Sequence, residues 1–343
     1  MRNNQYDELQ PNRNGRYRLP PETAKRLGIE PKINNNRYTL TVEQEAVLFN
    51  YDQEKIKRLF FDIETTPYKG YFWNGYPKFI PHDMVEEEQK IICISYCWEG
   101  EDKVHRLNWE NQYSQNAIEE IKDLLSKSKS IETKQICQKI INDYLFKGCD
   151  KKLTYDFIKI MNEADECIAH NGDRYDIKVL RTRAIFHRIP MFPKYKTLDT
   201  LKKYRTSFKF FSNKLDSIAK DLGVGAKLKH EGWSMWERCM KGDFEALTDM
   251  GNYCDVDIIT LMDVFITAQN YFVNNTHTGV HNGKLKASCP NCGSEDVSLL
   301  KNNFTALGTI KRYMECNPCG YNYEISNTAW RNFLELKSNS VSM

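Results

Sequence analysis

No run of about 18 apolar residues interrupts this 343-residue chain, and its opening, Met1 to Gly15, is Asn-rich and polar without an apolar stretch. Neither a membrane span nor a secretory leader is expected, which assigns the chain to the cytoplasm. A dominant charge is missing as well: 49 Lys and Arg stand against 46 Asp and Glu, a formal +3 that alone neither favours nor excludes a polyanionic partner. Internal repeats and low-complexity tracts are also lacking. Cysteines are not scarce, at eleven, but seven (Cys93, Cys97, Cys137, Cys149, Cys167, Cys239, Cys254) stand singly and four form two close pairs near the end. That distribution argues against a disulfide framework and for reduced thiols with one metal site. What is present is apolar material enough for a core, 41% hydrophobic against 28% charged residues, in a chain long enough for two or three units.

Residues 1–56 carry two short helical patterns, Pro21 to Leu27 with Pro in its first turn and Thr41 to Phe49 opened by a Thr41/Gln44 capping-box spacing. They read either as a helix-turn-helix bearing Arg13, Arg16, Arg18, Lys25, Arg26 and Arg37 or as a polar extension packed on the next domain. From Lys57 the texture is that of strands: Arg58 to Ile63, Gly70 to Trp73, Lys90 to Trp98 and Lys103 to Trp109, with short links that imply an antiparallel meander. Helices are expected over Ser114 to Leu125, Ile131 to Tyr144 and Leu153 to Asp165, then a strand Glu166 to Ala169 and a helix Asp176 to Arg188. A short strand near Lys196 and helices Lys214 to Leu222 and Asp243 to Gln269 complete the pattern. This order predicts an α/β fold over residues 57–273, a mixed sheet flanked by helices. Residues 274–286 read as a linker, and 287–343 as a small cysteine-paired unit with a tail.

Three short stretches carry chemistry. In Phe60-Phe61-Asp62-Ile63-Glu64 a period of two puts Asp62 and Glu64 on one strand face and Phe61 and Ile63 on the other. Two carboxylates side by side on a buried strand repel each other unless a divalent cation neutralises them, and hard oxygen donors suit Mg²⁺ or Mn²⁺. The second stretch, His170-Asn171-Gly172-Asp173-Arg174-Tyr175-Asp176, turns from a strand into a helix and presents Asp176 at the helix start, where Asp173 or Asp176 also suits a simple helix cap. The third, Asn252-Tyr253-Cys254-Asp255-Val256-Asp257, lies inside the long helix. Tyr253 and Asp257 are four apart and share a face with Leu261, whereas Asp255, rotated about 200° from Tyr253, is expected to face solvent.

Together these stretches resemble the DEDD superfamily of 3′→5′ exonucleases, of ribonuclease H-like fold, in the tyrosine-bearing subclass that includes the proofreading domains of family B DNA polymerases. The first-motif Asp and Glu match Asp62 and Glu64, the second-motif Asn and Asp match Asn171 and Asp176, and the third-motif Tyr and Asp match Tyr253 and Asp257. Asp199-Thr200-Leu201, Phe210 to Leu215, the Gly223 to Lys227 turn and the cysteine pairs further resemble bacteriophage-encoded, zinc-ribbon-bearing exonucleases of the YprB type. That likeness runs from about Lys57 to Tyr323; a helical region around 128–153 departs from it and reads as an insertion. The resemblance implies that Asp62, Glu64, Asp176 and Asp257 hold two divalent ions while Tyr253 orients the attacking water. A phenol with a pKa of about 10 is a poor base at pH 7, so deprotonation would fall to the metal. His170 is read as a satisfied strand-end histidine.

Cys289-Pro-Asn-Cys292 and Cys316-Asn-Pro-Cys319, about 23 residues apart and each followed by Gly, have the pattern of one structural tetrahedral Zn²⁺. The ribbon suits a nucleic-acid grip or a protein-docking role. Between Lys194 and Glu231, ten Lys and Arg stand against four Asp and Glu, a net of about +6. Here Lys209, Asn213, Lys214 and Lys227, with the second-motif Asn171, are the expected nucleic-acid contacts, whereas Phe208 and Phe211 are expected in the core. The expected activity is a metal-dependent 3′→5′ exonuclease on single-stranded or frayed DNA 3′ ends, working with a DNA polymerase or other replication protein and no membrane. The same chemistry on RNA and a noncatalytic nucleic-acid-binding accessory protein are the alternatives.

Overall fold

The computed structural model describes residues 17–18, 37–40, 56–73, 75, 77–109, 115–141, 149–225 and 232–341. Both expected N-terminal helices, 21–27 and 41–49, and Lys227 lie outside the described residues. The chain divides into two units, Lys57–Gln269 and a second that comprises Met1–Ile56 and Asn270–Met343. In the latter, β1 (Tyr17–Arg18) pairs antiparallel with β2 (Arg37–Tyr38).

In the Lys57–Gln269 unit the order is β3 (Arg58–Thr65), β4 (Lys69–Gly70), β5 (Val85–Glu87), β6 (Ile91–Trp98), β7 (His105–Asn108), α1 (Gln115–Lys127), α2 (Ile131–Ile141), α3 (Lys151–Asn162), β8 (Glu166–Ala169), α4 (Asp176–Phe186), β9 (Thr197–Asp199), α5 (Thr200–Ser207), α6 (Leu215–Leu222), α7 (Trp233–Met240) and α8 (Phe244–Ala268). Five strands make one mixed sheet in the order β7-β6-β3-β8-β9. The expected meander is its antiparallel half, β3 with β6 and β6 with β7, while β8 and β9 join parallel to β3. β3 is therefore the middle strand, and its Leu59, Phe60, Phe61 and Ile63 are buried. Phe61 packs on Phe157 of α3 and Phe60 on Phe265 of α8, each at 5.4 Å between ring centroids, so helices cover both faces. The long helix α8 starts at Asp243, whose side chain accepts from the Glu245 and Ala246 N–H groups, and it buries Leu247, Met250, Cys254, Ile258, Leu261 and Phe265 along one stripe.

Three local expectations change. Gly70 to Trp73 is not a strand of the sheet: β4 and β5 form a separate two-stranded ribbon, and Tyr71, Phe72 and Trp73 are exposed, Trp73 at 91%. Aromatic content imitated strand propensity there without a neighbouring strand to pair. α5 and α7 are helices that periodicity did not reveal, because each buries only two side chains, Thr200 and Tyr204 in one and Met235 and Cys239 in the other. In the second unit, α9 (Thr278–His281) sits within the expected linker 274–286, capped by the His277 ring and folded so tightly that a Cβ on Gly279 would collide with Ser288. Beyond it, β10 (Val297–Phe304), β11 (Ile310–Cys316) and β12 (Asn322–Ser326) form an antiparallel sheet. α10 (Asn327–Val341), not expected from the sequence, adds Phe333 to the core of Met314, Tyr321, Tyr323 and Ile325.

Residues 149–153 are tied into the larger unit by a fully buried carboxylate. Asp150 accepts from the Ile91 N–H at 2.9 Å, from Arg183 at 2.6 and 2.8 Å, and from His187 at 2.6 Å. Burial alone would raise its pKa, but these donors more than offset that and hold the carboxyl below its ordinary range. Asp150→Ala strands the Arg183 guanidinium in the interior and is expected to cost about 3–5 kcal/mol, read from the denaturant midpoint, with Asp150→Asn losing less.

Candidate active site

The alternation of β3 turns Asp62 and Glu64 toward α8. One carboxylate oxygen from each of Asp62, Glu64 and Asp257 falls in a cluster whose members all lie within 4.8 Å of one another. A register shift in the β3–β6 pairing comes directly after, at Glu64/Thr65, a bulge that re-aims the strand end beside the cluster. Asp176, the first residue of α4, is buried and lies outside that 4.8 Å set, yet its charge and that of Asp62 act on each other. The Ile63 N–H steadies both carboxylates. Thr65 and Tyr175, which flank these motifs, are joined by a 2.7 Å hydrogen bond between their hydroxyls, and the Gln89 amide donates to both at 2.9 Å.

The electrostatics arise from burial and then from crowding. Burial first, then the charge of Asp257, pushes the Asp62 carboxyl up to about 7. Burial and the charge of Asp62 hold Asp176 well above the ordinary carboxylate range. Tyr253 donates its hydroxyl to Asp257, and burial together with the charges of Asp257 and Glu64 raises its pKa, so it stays a phenol. Beneath the cluster lies Cys254, fully buried, its Sγ 3.6 Å from both the backbone oxygen and Oδ2 of Asp62. Sequence reasoning leaves Cys254 among the scattered thiols; its place one residue after Tyr253 on a buried stripe is the available signal.

Asp255 does not face solvent as expected. Ser95 Oγ donates to its Oδ1 at 2.5 Å and Arg106 holds both its oxygens, because the helix face opposite Tyr253 lies against β6 and β7. His170 is satisfied on both nitrogens, by Thr200 Oγ1 at 2.9 Å and the Asn213 carbonyl at 3.0 Å. Asn171 adopts φ 68°, and its N–H donates to Asp199 at 3.0 Å, so its backbone makes the turn that delivers α4. Lys209 and Lys214 are exposed, and the buried Asn213 Oδ1 has no hydrogen-bond partner among the described residues. Phe208 packs on Tyr204 at 5.1 Å and Phe210 at 5.6 Å, but Phe211, expected in the core, is 104% exposed. The segment is extended, so 208 and 210 point inward together and 211 cannot.

In the second unit Cys289, Cys292, Cys316 and Cys319 bring their sulfurs within 4.8 Å of one another. The Cys289–Cys319 and Cys292–Cys316 separations are 3.7 and 3.4 Å. With Zn–S bonds near 2.3 Å, a tetrahedral site has edges of about 3.8 Å, so the four thiols fit such an ion.

The Asp62 shift carries a sign. The unfolded chain releases this proton near 3.8 and the folded chain only at about 7, so the group's contribution to stability falls as pH rises between those values and stays low above them. Asp62→Asn, which copies the neutral form, should raise the melting temperature of the metal-free protein at pH 8, by roughly 2–4 °C per kcal/mol relieved, and give no such gain at pH 4. Melting curves in EDTA check this.

A family model described as the RNase_H superfamily matches residues 128–269, a span that includes Asp176, Tyr253 and Asp257 and opens within the helical stretch read as an insertion. No curated protein matches the chain. Among solved structures the chain is similar to the family B DNA polymerase from the hyperthermophilic archaeon Pyrobaculum calidifontis, at 12% identity and a TM-score of 0.40, over 67% of this chain and 26% of the polymerase. The similarity thus spans about a quarter of that polymerase's length. With its mixed five-stranded sheet between helices and the matched span, the Lys57–Gln269 unit has a ribonuclease H-like fold, which supports a nuclease.

Proposed function

We propose that this chain is a metal-dependent 3′→5′ exonuclease that hydrolyses phosphodiester bonds of DNA. The observation that carries this reading is the convergence of Asp62, Glu64 and Asp257 within 4.8 Å, with Asp176 beside Asp62 and the Tyr253 hydroxyl on Asp257. Carboxylates that burial and mutual repulsion push up, one of them to about 7, are what hard divalent cations relieve, so the donor set fits Mg²⁺ or Mn²⁺ held by Asp62, Glu64, Asp176 and Asp257. Bound there, two such ions would supply an activated water for in-line attack and charge stabilisation for the leaving 3′-oxygen.

The chain's own residues do the rest. Tyr253 remains protonated and gives its hydrogen to Asp257, which leaves the phenolic oxygen to accept from, and so orient, the attacking water. Lys209 and Lys214, both exposed, and Lys227 would neutralise phosphates, Asn171 and Asn213 would contact the strand as hydrogen-bonding groups, and the four cysteines would hold one structural Zn²⁺.

A time course with 5′-labelled single-stranded DNA, duplex DNA and RNA in Mg²⁺, Mn²⁺ and EDTA tests this. Expected is a ladder shortening from the 3′ end of unpaired DNA, abolished by EDTA. Asp62→Ala and Asp257→Ala should abolish cleavage while DNA binding in Ca²⁺ survives. Wild-type degradation by either variant sinks the site, and a clear preference for RNA replaces the substrate. Tyr253→Phe is expected to slow single-turnover cleavage severalfold or more at saturating Mg²⁺ with metal affinity kept.

A further inference from the structure

Asp62 on β3, Ser95 on β6 and Arg106 on β7 are direct cross-strand partners, a straight row across three strands. α8 packs on that row and meets it through two adjacent residues. At one end Cys254 touches Asp62. At the other, Asp255 takes the Ser95 hydroxyl at 2.5 Å and the Arg106 guanidinium at 2.5 and 3.3 Å. Arg106 also donates to Asn252 Oδ1 at 2.8 Å and to the Thr248 carbonyl at 3.4 Å, so one side chain grips two turns of the helix. Its approach depends on Gly251: a Cβ there would overlap the guanidinium and lie 2.6 Å from Cδ and Cζ. The helix residues gripped interleave with Tyr253 and Asp257.

We propose that Arg106 is a positioning residue for the metal centre, a clamp that fixes the rotation and the height of α8 so that Tyr253 and Asp257 meet Asp62 and Glu64. This rests on the nuclease reading of that centre. The need for a clamp comes from the carboxylates themselves. With no cation between them, Asp257 and the β3 pair repel, a force that opposes the packing of α8 on the sheet. Arg106 attaches the same helix to the same sheet through an opposite charge, at a residue that never touches the reacting atoms. A site so held is assembled before a cation arrives.

The test uses the full chain and Mn²⁺. Arg106→Met removes the clamp, Arg106→Lys keeps its charge, and Gly251→Ala displaces it without altering it. Arg58→Met is the control: it breaks two ion pairs at the far end of β3 from Glu64, Arg58 with Glu166 at 3.0 Å and with Glu99 at 3.1 Å. Calorimetric Mn²⁺ titration and steady-state cleavage are read for each. Arg106→Met and Gly251→Ala should weaken Mn²⁺ binding and lower kcat at fixed subsaturating metal by about 10–100-fold, with KM for DNA unchanged. Arg106→Lys, which keeps the charge without the fork that reaches both Asp255 oxygens and Asn252, should recover part of the loss, and Arg58→Met should stay within twofold of wild type in both readouts even where it melts earlier. Equal Mn²⁺ affinity in Arg106→Met and wild type, or equal losses in Arg106→Met and Arg58→Met, overturns the clamp and leaves the nuclease reading standing. A wild type that neither holds Mn²⁺ through these carboxylates nor cleaves overturns both.

Discussion

Negative charge on the middle strand of a buried sheet must be answered by whatever packs on it, and in the Lys57–Gln269 unit several neighbours of the acidic residues supply donors. Ile63 offers its N–H, Cys254 its thiol, Tyr253 a hydroxyl to Asp257, and Ser95 and Arg106 a hydroxyl and a guanidinium to Asp255. Those donors steady the carboxylates without neutralising them. The remaining deficit is what raises Asp62 and Asp176 together, and a cation is the one partner that relieves both at once.

Two aspartates in this unit, Asp150 fully buried and Asp62 partly so, respond to desolvation in opposite ways. Asp150 has a bidentate arginine, a histidine and a backbone N–H, and its pKa falls. Asp62 has only a weak thiol and the Ile63 N–H against burial and the charge of Asp257, and its pKa rises. Burial costs both the same kind of desolvation; the number and charge of donors decides which carboxylate is structural and which is poised. The clamp at Asp255 belongs with Asp150 in this respect, a saturated acid whose work is to hold an element in place.

Much of the site is written locally. The period of two places Asp62 and Glu64 opposite Phe61 and Ile63 within five residues, and the two cysteine pairs, 24 residues apart between Cys292 and Cys316, carry a spacing that foretells four converging thiols. Asp255 shows where local reading ends: helical periodicity separates it from Tyr253 but cannot say what lies on its side, and Arg106 comes from a strand 149 residues earlier. Phe211 went astray through a register of one residue in an extended segment. Tyr71 to Trp73 had the composition of a strand without a partner, and α5 and α7 bury too little to show a stripe. For Asp255 and for Tyr71 to Trp73 the missing information was which element lies beside the residue, and that is set by contacts beyond the local sequence.

That distance has a temporal side. The contact between Cys254 and Asp62 closes a loop of 192 residues, and β3 gains its parallel neighbour β8 only 108 residues after Arg58. At roughly 5–20 residues per second, a ribosome needs about 10–40 s after making Asp62 to deliver the helix that completes the carboxylate cluster. During that interval the nascent chain carries Asp62 and Glu64 without Tyr253 or Asp257 and has no assembled centre, so whatever activity the centre possesses begins only once nearly the whole unit has been synthesised.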